Sequence, residues 1–402
     1  MNEPEYDFPL SELVSNGQWR WAIEPHFTAQ LGYTAGKRQF FCDRALTASH
    51  SEDGYQFGYL DLTGAEVIPP QFHDAKTFEG GRAWVEQNAR WGLIDASGSF
   101  LTRPMYDWVD SWIDAGTGGL RAVRLADRLG YVDETGALVI TPRFGAGGYF
   151  NDGFSSASPW SSEEEVTPYG VIDSSGNWVV QPRFSDIWRF SRGLAPARLG
   201  EDSKWGFIDS SGSWIISPAF DWAAEFDAHG LARVQKDGLW GVIDTEGRFI
   251  IQPQFDAIDD FVDGIAGVSI GDGMNARMGF IDISGKFVIP PRFATVYGFD
   301  HGYAQVSEDD ADDVWNSFSI DRTGERVANF RSCEKFSDGL AFARSHDGFV
   351  GVIDTTGNWI VDPVLPYLSQ LGPFGCGAAV LESWGPDGPH WHHEWVGYIS
   401  LV

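Results

Sequence analysis

Apolar and polar residues alternate in short runs along almost the whole chain, and each run is broken by Asp and Gly or by Pro. In Leu231-Ala232-Arg233-Val234 the alternation has period two, breaks at Lys236-Asp237-Gly238 and resumes over 240–244. Asp244-Thr245-Glu246-Gly247 interrupts it again before the run 248–252. Period two places successive side chains on opposite faces of a strand, whereas a helix repeats every ~3.6 residues. Asp-x-x-Gly suits a tight hairpin connection, because the Asp side chain bonds nearby backbone amides and Gly accepts φ > 0. Pro253 ends the third run, since proline cannot donate a ladder bond. The pattern predicts a three-stranded antiparallel meander, its strands called A, B and C. A looped crossover over 254–263 follows, and Gly264 opens the next unit.

The same frame recurs through the chain. The segment 205–220 matches 240–255 nearly position by position, and further copies lie at 58–72, 91–106, 130–144, 169–184, 278–293 and 350–363, with a degraded one at 318–329. The turn aspartates are Asp61, Asp95, Asp133, Asp173, Asp209, Asp244, Asp282, Asp321 and Asp354, spaced 33 to 40 residues apart. Each unit of about 36 residues keeps its frame while its loops vary. A lone unit cannot stand: ordering it costs about 50 kcal/mol of conformational entropy, more than one small meander recovers by burial. Stacked neighbours bury both apolar faces in a continuous core. A row of aspartates fixed in every turn is accordingly turn chemistry, and Trp91, Trp205 and Trp240, fixed in the frame, are read as packing between units.

The two ends are complementary. Near the start, 21–27 reads as an isolated strand C; near the end, 377–381 and 396–399 read as strands A and B without a C. The expected fold is all-β, an array of about ten three-stranded antiparallel meander repeats, open, twisted and solenoid-like. A closed β-propeller-like ring, its split unit completed by the two ends, is the alternative; ten units exceed the usual ~4–8 blades. The chain reads as one repeat array over 1–402, with an extension at 1–18, repeats over 19–376 and a half-repeat cap at 377–402.

The frame Trp-Gly-(Phe/Val/Leu)-Ile-Asp-x-x-Gly, an apolar strand, Pro-x-Phe and then Phe-x-x-Gly-x-Ala resembles the bacterial WG-repeat (KWG-repeat) family from about Trp19 to the C-terminus. The tryptophan of that frame stands at Trp91, Trp205 and Trp240, while Leu129, Tyr169, Met278, Val350 and Val396 replace it elsewhere, and the eighth unit lacks the glycine. The resemblance implies a repeat scaffold in a bacterial protein, with no shared catalytic residues.

Composition narrows the function. With 57 Asp+Glu against 28 Lys+Arg the net charge is −29, which repels phosphate backbones and anionic membrane surfaces, so neither nucleic acid nor membrane is an expected partner. The aromatics are dense, with 18 Trp, 29 Phe and 12 Tyr, and Gly reaches 48, a mixture that favours strands and turns. Cys42, Cys333 and Cys376 lie far apart and form neither a disulfide framework nor a metal clamp. The acidic start, Met1-Asn2-Glu3-Pro4-Glu5, lacks the basic and then apolar pattern of a secretion signal, so a cytoplasmic location is expected.

Loop insertions in repeat proteins concentrate on one face, which often binds. Here they fall in the A-to-B connections, at 159–166, 271–277, 307–313 and 382–395. The carboxylates Glu163, Glu164, Glu165, Glu308, Asp309, Asp310, Asp312 and Asp313 would combine into one negative rim beside Trp160 and Trp315. That rim suits a basic protein, with charge for the on-rate and aromatics as anchors. The leading expectation is a non-catalytic protein-binding scaffold, in its concrete form an immunity-type protein that covers a bacterial toxin. A glycan or peptidoglycan binder using exposed Trp is the second reading. Catalysis is the third, for which GxSxG, Walker A, GxGxxG and Cys–His signatures are all lacking. His390, His392, His393 and Glu394 are potential metal ligands, but their spacing matches no zinc motif and a polar loop accounts for them. No cofactor is expected.

Overall fold

A computed structural model describes residues 19–26, 44–51, 54–61, 63–110, 119–162, 167–271, 276–308, 317–365, 370–371, 378–384 and 393–401. Every regular element among them is a strand. The strands form ten units, eight in separate sheets of three or four strands and two fused into one sheet of seven.

The fifth and sixth units show the plan. Leu194–Arg198, Trp205–Asp209 and Trp214–Phe220 are strands A, B and C of the fifth, and Leu231–Lys236, Leu239–Asp244 and Phe249–Phe255 those of the sixth. The expected meander gains a fourth member. After strand C the chain turns at Asp221, and Trp222–Ala223 adds to the next sheet as a short lead strand beside strand A. The crossover backbone cannot leave its amides unpaired beside a buried core. Asp221 N–H therefore donates to the Gln235 carbonyl at 2.8 Å, and Ala224 N–H to that of Arg233 at 2.9 Å. In the third unit strand C and the next lead segment run on unbroken as Leu138–Gly147, which pairs with Phe154–Pro159 and fuses units three and four.

Strand B is buried on both faces. Phe207 packs with Ala223, Phe226, Ala232, Val234 and Ile243 of the following sheet. Its neighbour Ile208 points the other way, to Val171, Val180 and Phe184 of the preceding one. The cores thus lie between sheets, as the entropy of a lone unit demands. Aromatic rings repeat the contact: Phe184 meets Trp214 at 5.7 Å and Phe220 meets Phe249 at 6.2 Å, both edge to face.

The glycine after the frame tryptophan has a steric cause. The B–C register shifts between Trp205 and Phe207, bringing strand C's backbone over Gly206. A Cβ there would lie 2.6 Å from the Ile216 carbonyl oxygen and 2.7 Å from Pro218 N, and the corresponding glycines of seven other units meet a strand C carbonyl at 2.3–2.7 Å. The Asp-x-x-Gly turn joins units as well. Asp209 Oδ1 accepts from Ser211 N–H (2.9 Å), Ser211 O–H (2.6 Å) and Ser213 N–H (3.0 Å), while Gly212 takes φ 78°. The Gly212 carbonyl accepts from Arg183 of the preceding unit at 2.7 Å, and Arg143–Gly176 and Arg292–Gly324 repeat the bond at 2.5 Å.

These turns predict the acid limit of stability. Hydroxyl and backbone donors hold the carboxyls of Asp61, Asp95, Asp133, Asp209, Asp282 and Asp354 below the usual carboxylate range. A lowered folded-state pKa contributes stability that is present above the unfolded value, near ~3.9, and is lost as pH falls through the folded values. Lowering pH from 7 first relieves self-repulsion among the acids. The melting temperature should rise towards pH ~5 and drop below pH ~4. A calorimetric series still climbing at pH 3 would contradict this.

The ends of the chain meet. Trp19–His26 pairs antiparallel with His393–Leu401, from Trp19↔Leu401 to His26↔Val396, completing a sheet with Ala378–Trp384 and Gln370–Leu371. Ten sheets stacked at ~10 Å in a straight array would hold the first and last about 90 Å apart. The nineteen residue steps from His26 to Ala45, where the first full unit begins, reach at most ~65 Å. The sheets therefore curve round rather than stack straight, and the two ends share the split unit that the ring alternative expected. No barrel closes, since each sheet keeps its own edges. Among the described residues no helix is long and apolar enough to cross a membrane.

Candidate functional site

The A-to-B connections share one edge. Asp107, just after the second unit's strand C, pairs with Arg90 in that unit's connection and accepts from Ala126 N–H in the next, at 2.7 Å. Asp221 pairs with Lys204 of unit five and accepts from Gly238 N–H of unit six at 3.4 Å. Asp256 takes Gly271 N–H of unit seven at 2.8 Å. The connections of units three, six and seven are thus tied to the aspartate that follows the preceding unit's strand C. The tightest of these turns are two-residue hairpins with both residues at positive φ: Asn88 and Ala89, Ala126 and Asp127, and Asp237 (54°) and Gly238 (83°).

Two of the ten rim residues expected from sequence are described. Trp160 is 37% exposed, and the Arg128 guanidinium of the adjacent connection lies 4.3 Å from its ring centroid. It borders a recess of about 390 Å³ with Arg143, Phe144, Pro159 and Trp178, where the two units fuse. Glu308 is exposed and pairs with Arg326 at 3.1 Å. Both are engaged by arginines of their own chain. Glu163, Glu164, Glu165, Asp309, Asp310, Asp312, Asp313 and Trp315 lie outside the described residues, as do His390, His392, Cys42 and Cys376. His393 and Glu394 open the strand His393–Leu401. Among the described residues no group of three or more His, Cys, Asp or Glu is placed to hold a metal.

The frame residues pack as expected. Trp205 is buried, Trp188 lies 5.5 Å from it, and Trp188, Trp222 and Trp240 continue the row at 5.1 Å steps. Lys76 covers Trp91 at 5.0 Å. Burial pushes the half-buried Cys333 thiol up to about 11.

The eighth unit departs from the plan. Its sheet holds only the lead strand Thr295–Val296, strand A Tyr303–Ser307 and strand B Phe318–Asp321. Phe318 stands where the other units carry the close-approach glycine, so strand C cannot lie over it. The interval from turn aspartate to closing residue is also shorter. It is eleven residues from Asp61 to Phe72, and likewise in the other regular units, but nine from Asp321 to Phe330. Phe330 still reaches Trp359 of the next unit at 6.4 Å, edge to face. Beside this irregular return lies a cavity of about 380 Å³, lined by Glu308, Ser317, Phe318, Ser319, Arg326, Val327, Phe330, Arg331 and His346. The missing glycine was visible in sequence; the cavity was not, because that depends on the shortened return.

Such sheets, packed face to face and joined by a split unit, define a β-repeat protein. The WG-containing repeat profile matches residues 57–91, 91–116, 130–157, 169–201, 205–240, 240–273, 278–310 and 351–380, more than half of the chain. The chain belongs to the WG-repeat family. The matches omit 311–350, where the eighth unit breaks the frame. No curated protein matches the chain. Among solved structures it is similar to a eukaryotic initiation factor at 12% identity, covering 80% of this chain and 98% of that one with a TM-score of 0.46. It is similar to virginiamycin B lyase from Staphylococcus aureus at 15% identity, covering 66% and 98% with a TM-score of 0.29. Kluyveromyces lactis Hsv2 gives 10% identity, 71% and 95% coverage and a TM-score of 0.31.

Proposed function

We propose that the protein is a non-catalytic, protein-binding scaffold whose A-to-B edge captures a basic protein partner; an immunity-type role against a bacterial toxin is its concrete form. The observation that carries the reading is the set of bonds at Asp107, Asp221 and Asp256, which bring the A-to-B connections of units two and three, and of five and six, together at one edge and hold that of unit seven at the base of unit six. Insertions rich in Glu and Asp occupy that position in units four and eight. A chain of net charge −29 attracts a basic partner over long range, and packed sheets present a rigid surface that loses little entropy on binding.

The test is affinity capture with the tagged protein at low and high salt, beside a variant with Glu308, Asp309, Asp310, Asp312 and Asp313 all replaced by Ser or Asn. A basic protein should be retained stoichiometrically and released by salt, and the variant should bind it at least about tenfold more slowly. Equal association rates for the two would remove the rim from the interface. Retention of no basic protein would remove the reading.

A further inference from the structure

We infer that the cavity of the eighth unit is a binding site for a small ligand bearing oxyanion groups, a polycarboxylate or a phosphate compound, held by Arg326 and Arg331. Two features coincide here: the repeat frame breaks and its regular strand C is lost, and the space beside it is lined by two arginines in a strongly acidic protein.

Arg326 follows the B–C turn, its guanidinium carbon 3.7 Å from the Phe318 ring centroid. Stacking fixes the plane of the fork and leaves its edge to a carboxylate, now Glu308 at 3.1 Å. That pair is exposed on both sides, 63% and 56%, so it is weak and exchangeable. Glu308 occupies the place of a ligand's oxygen. Arg331 is half-buried and held in place: its amide donates to the Arg344 carbonyl at 2.7 Å and its Nε to the Ser317 carbonyl at 3.4 Å. His346 Nε2 lies 3.1 Å from the Ala328 carbonyl, which only accepts, so that nitrogen carries a proton. Phe318, Val327 and Phe330 supply an apolar wall. An added peptide strand fits less well. The open side of strand B is already used, because Ser319 N–H donates to the Arg331 carbonyl at 2.6 Å and the Ser319 carbonyl accepts from Val327 N–H at 3.0 Å.

Calorimetric titration of the full chain with citrate and with pyrophosphate, at matched ionic strength in chloride, tests the site. Saturable binding of at least one is expected; citrate alone would assign a carboxylate ligand, and pyrophosphate alone a phosphate one. Arg331→Ala should weaken binding at least about tenfold, whereas Glu308→Gln should tighten it about two- to fivefold by removing the competing carboxylate. Chloride competing as well as either anion, no saturation, or Glu308→Gln leaving affinity unchanged or weaker would overturn the assignment. Glu308 is exposed, so that variant decides the matter even if Arg331→Ala fails to fold. No protein partner is present in this titration, so its outcome is separate from that of the scaffold reading.

Discussion

Gly206→Ala is expected to destabilise the protein by about 3 kcal/mol and to release strand C of the fifth unit. The added methyl would sit 2.6 Å from the Ile216 carbonyl oxygen and 2.7 Å from Pro218 N, and neither backbone atom can swing aside as a flexible side chain would. Gly264→Ala is the matched control. Its φ of 77° disfavours a side chain, but nothing lies within 4 Å of the new Cβ, so only the conformational cost of about 1–2 kcal/mol applies. Urea unfolding gives the two energies, and amide exchange across Trp214–Phe220 shows whether the strand has detached. Equal costs would mean that close backbone approach is not what the frame glycine serves. The eighth unit already shows the outcome: Phe318 stands in the glycine position and its sheet has no strand C.

Removing residues 1–26 should undo the joining of the ends. The variant loses the strand Trp19–His26 and exposes the edge of His393–Leu401, an unpaired row of amides and carbonyls. Its melting should broaden from one cooperative transition into a stepwise one, because an open array frays from both ends while one whose ends are joined cannot. The freed edge should also draw two copies together, which light scattering would detect. A synthetic peptide of residues 19–26 should restore the sharp transition by adding back as a strand. Unchanged cooperativity and a monomeric mass would show that the end pairing contributes nothing to stability.

Much of the fold was legible because the physics that fixes it is local and repeated. Period-two runs, Asp-x-x-Gly turns and Pro stops give the strands, and their recurrence gives the stack. The complementary ends, 21–27 against 377–381 and 396–399, signalled a split unit. Their pairing matches that signal, although ring size argued for an open array. The lead strand was hidden because Trp222–Ala223 is too short to show alternation; it exists to satisfy crossover amides, a demand set by the neighbouring sheet. The rim was legible only as charge. Sequence could place Glu308 and Trp160 in exposed connections, but not show that Arg326 and Arg128 engage them, since each arginine arrives from a different strand or unit. Phe318 was marked as a missing glycine, yet its consequence needed the nine-residue return to Phe330 as well.

The pairing of Trp19 with Leu401 also sets the order in which the molecule can be made. Among the described residues every other ladder forms between strands close in sequence, so each sheet can fold as its own segment emerges. The first strand alone must wait for the last. At ~5–20 residues per second of synthesis, that wait is roughly 20–80 s. Throughout it, a nascent chain carries a ready-made strand whose proper mate does not yet exist, while a finished chain nearby that has not yet closed offers an identical acceptor. Crowded synthesis therefore favours exchange of this strand between copies, and dilute synthesis favours self-closure.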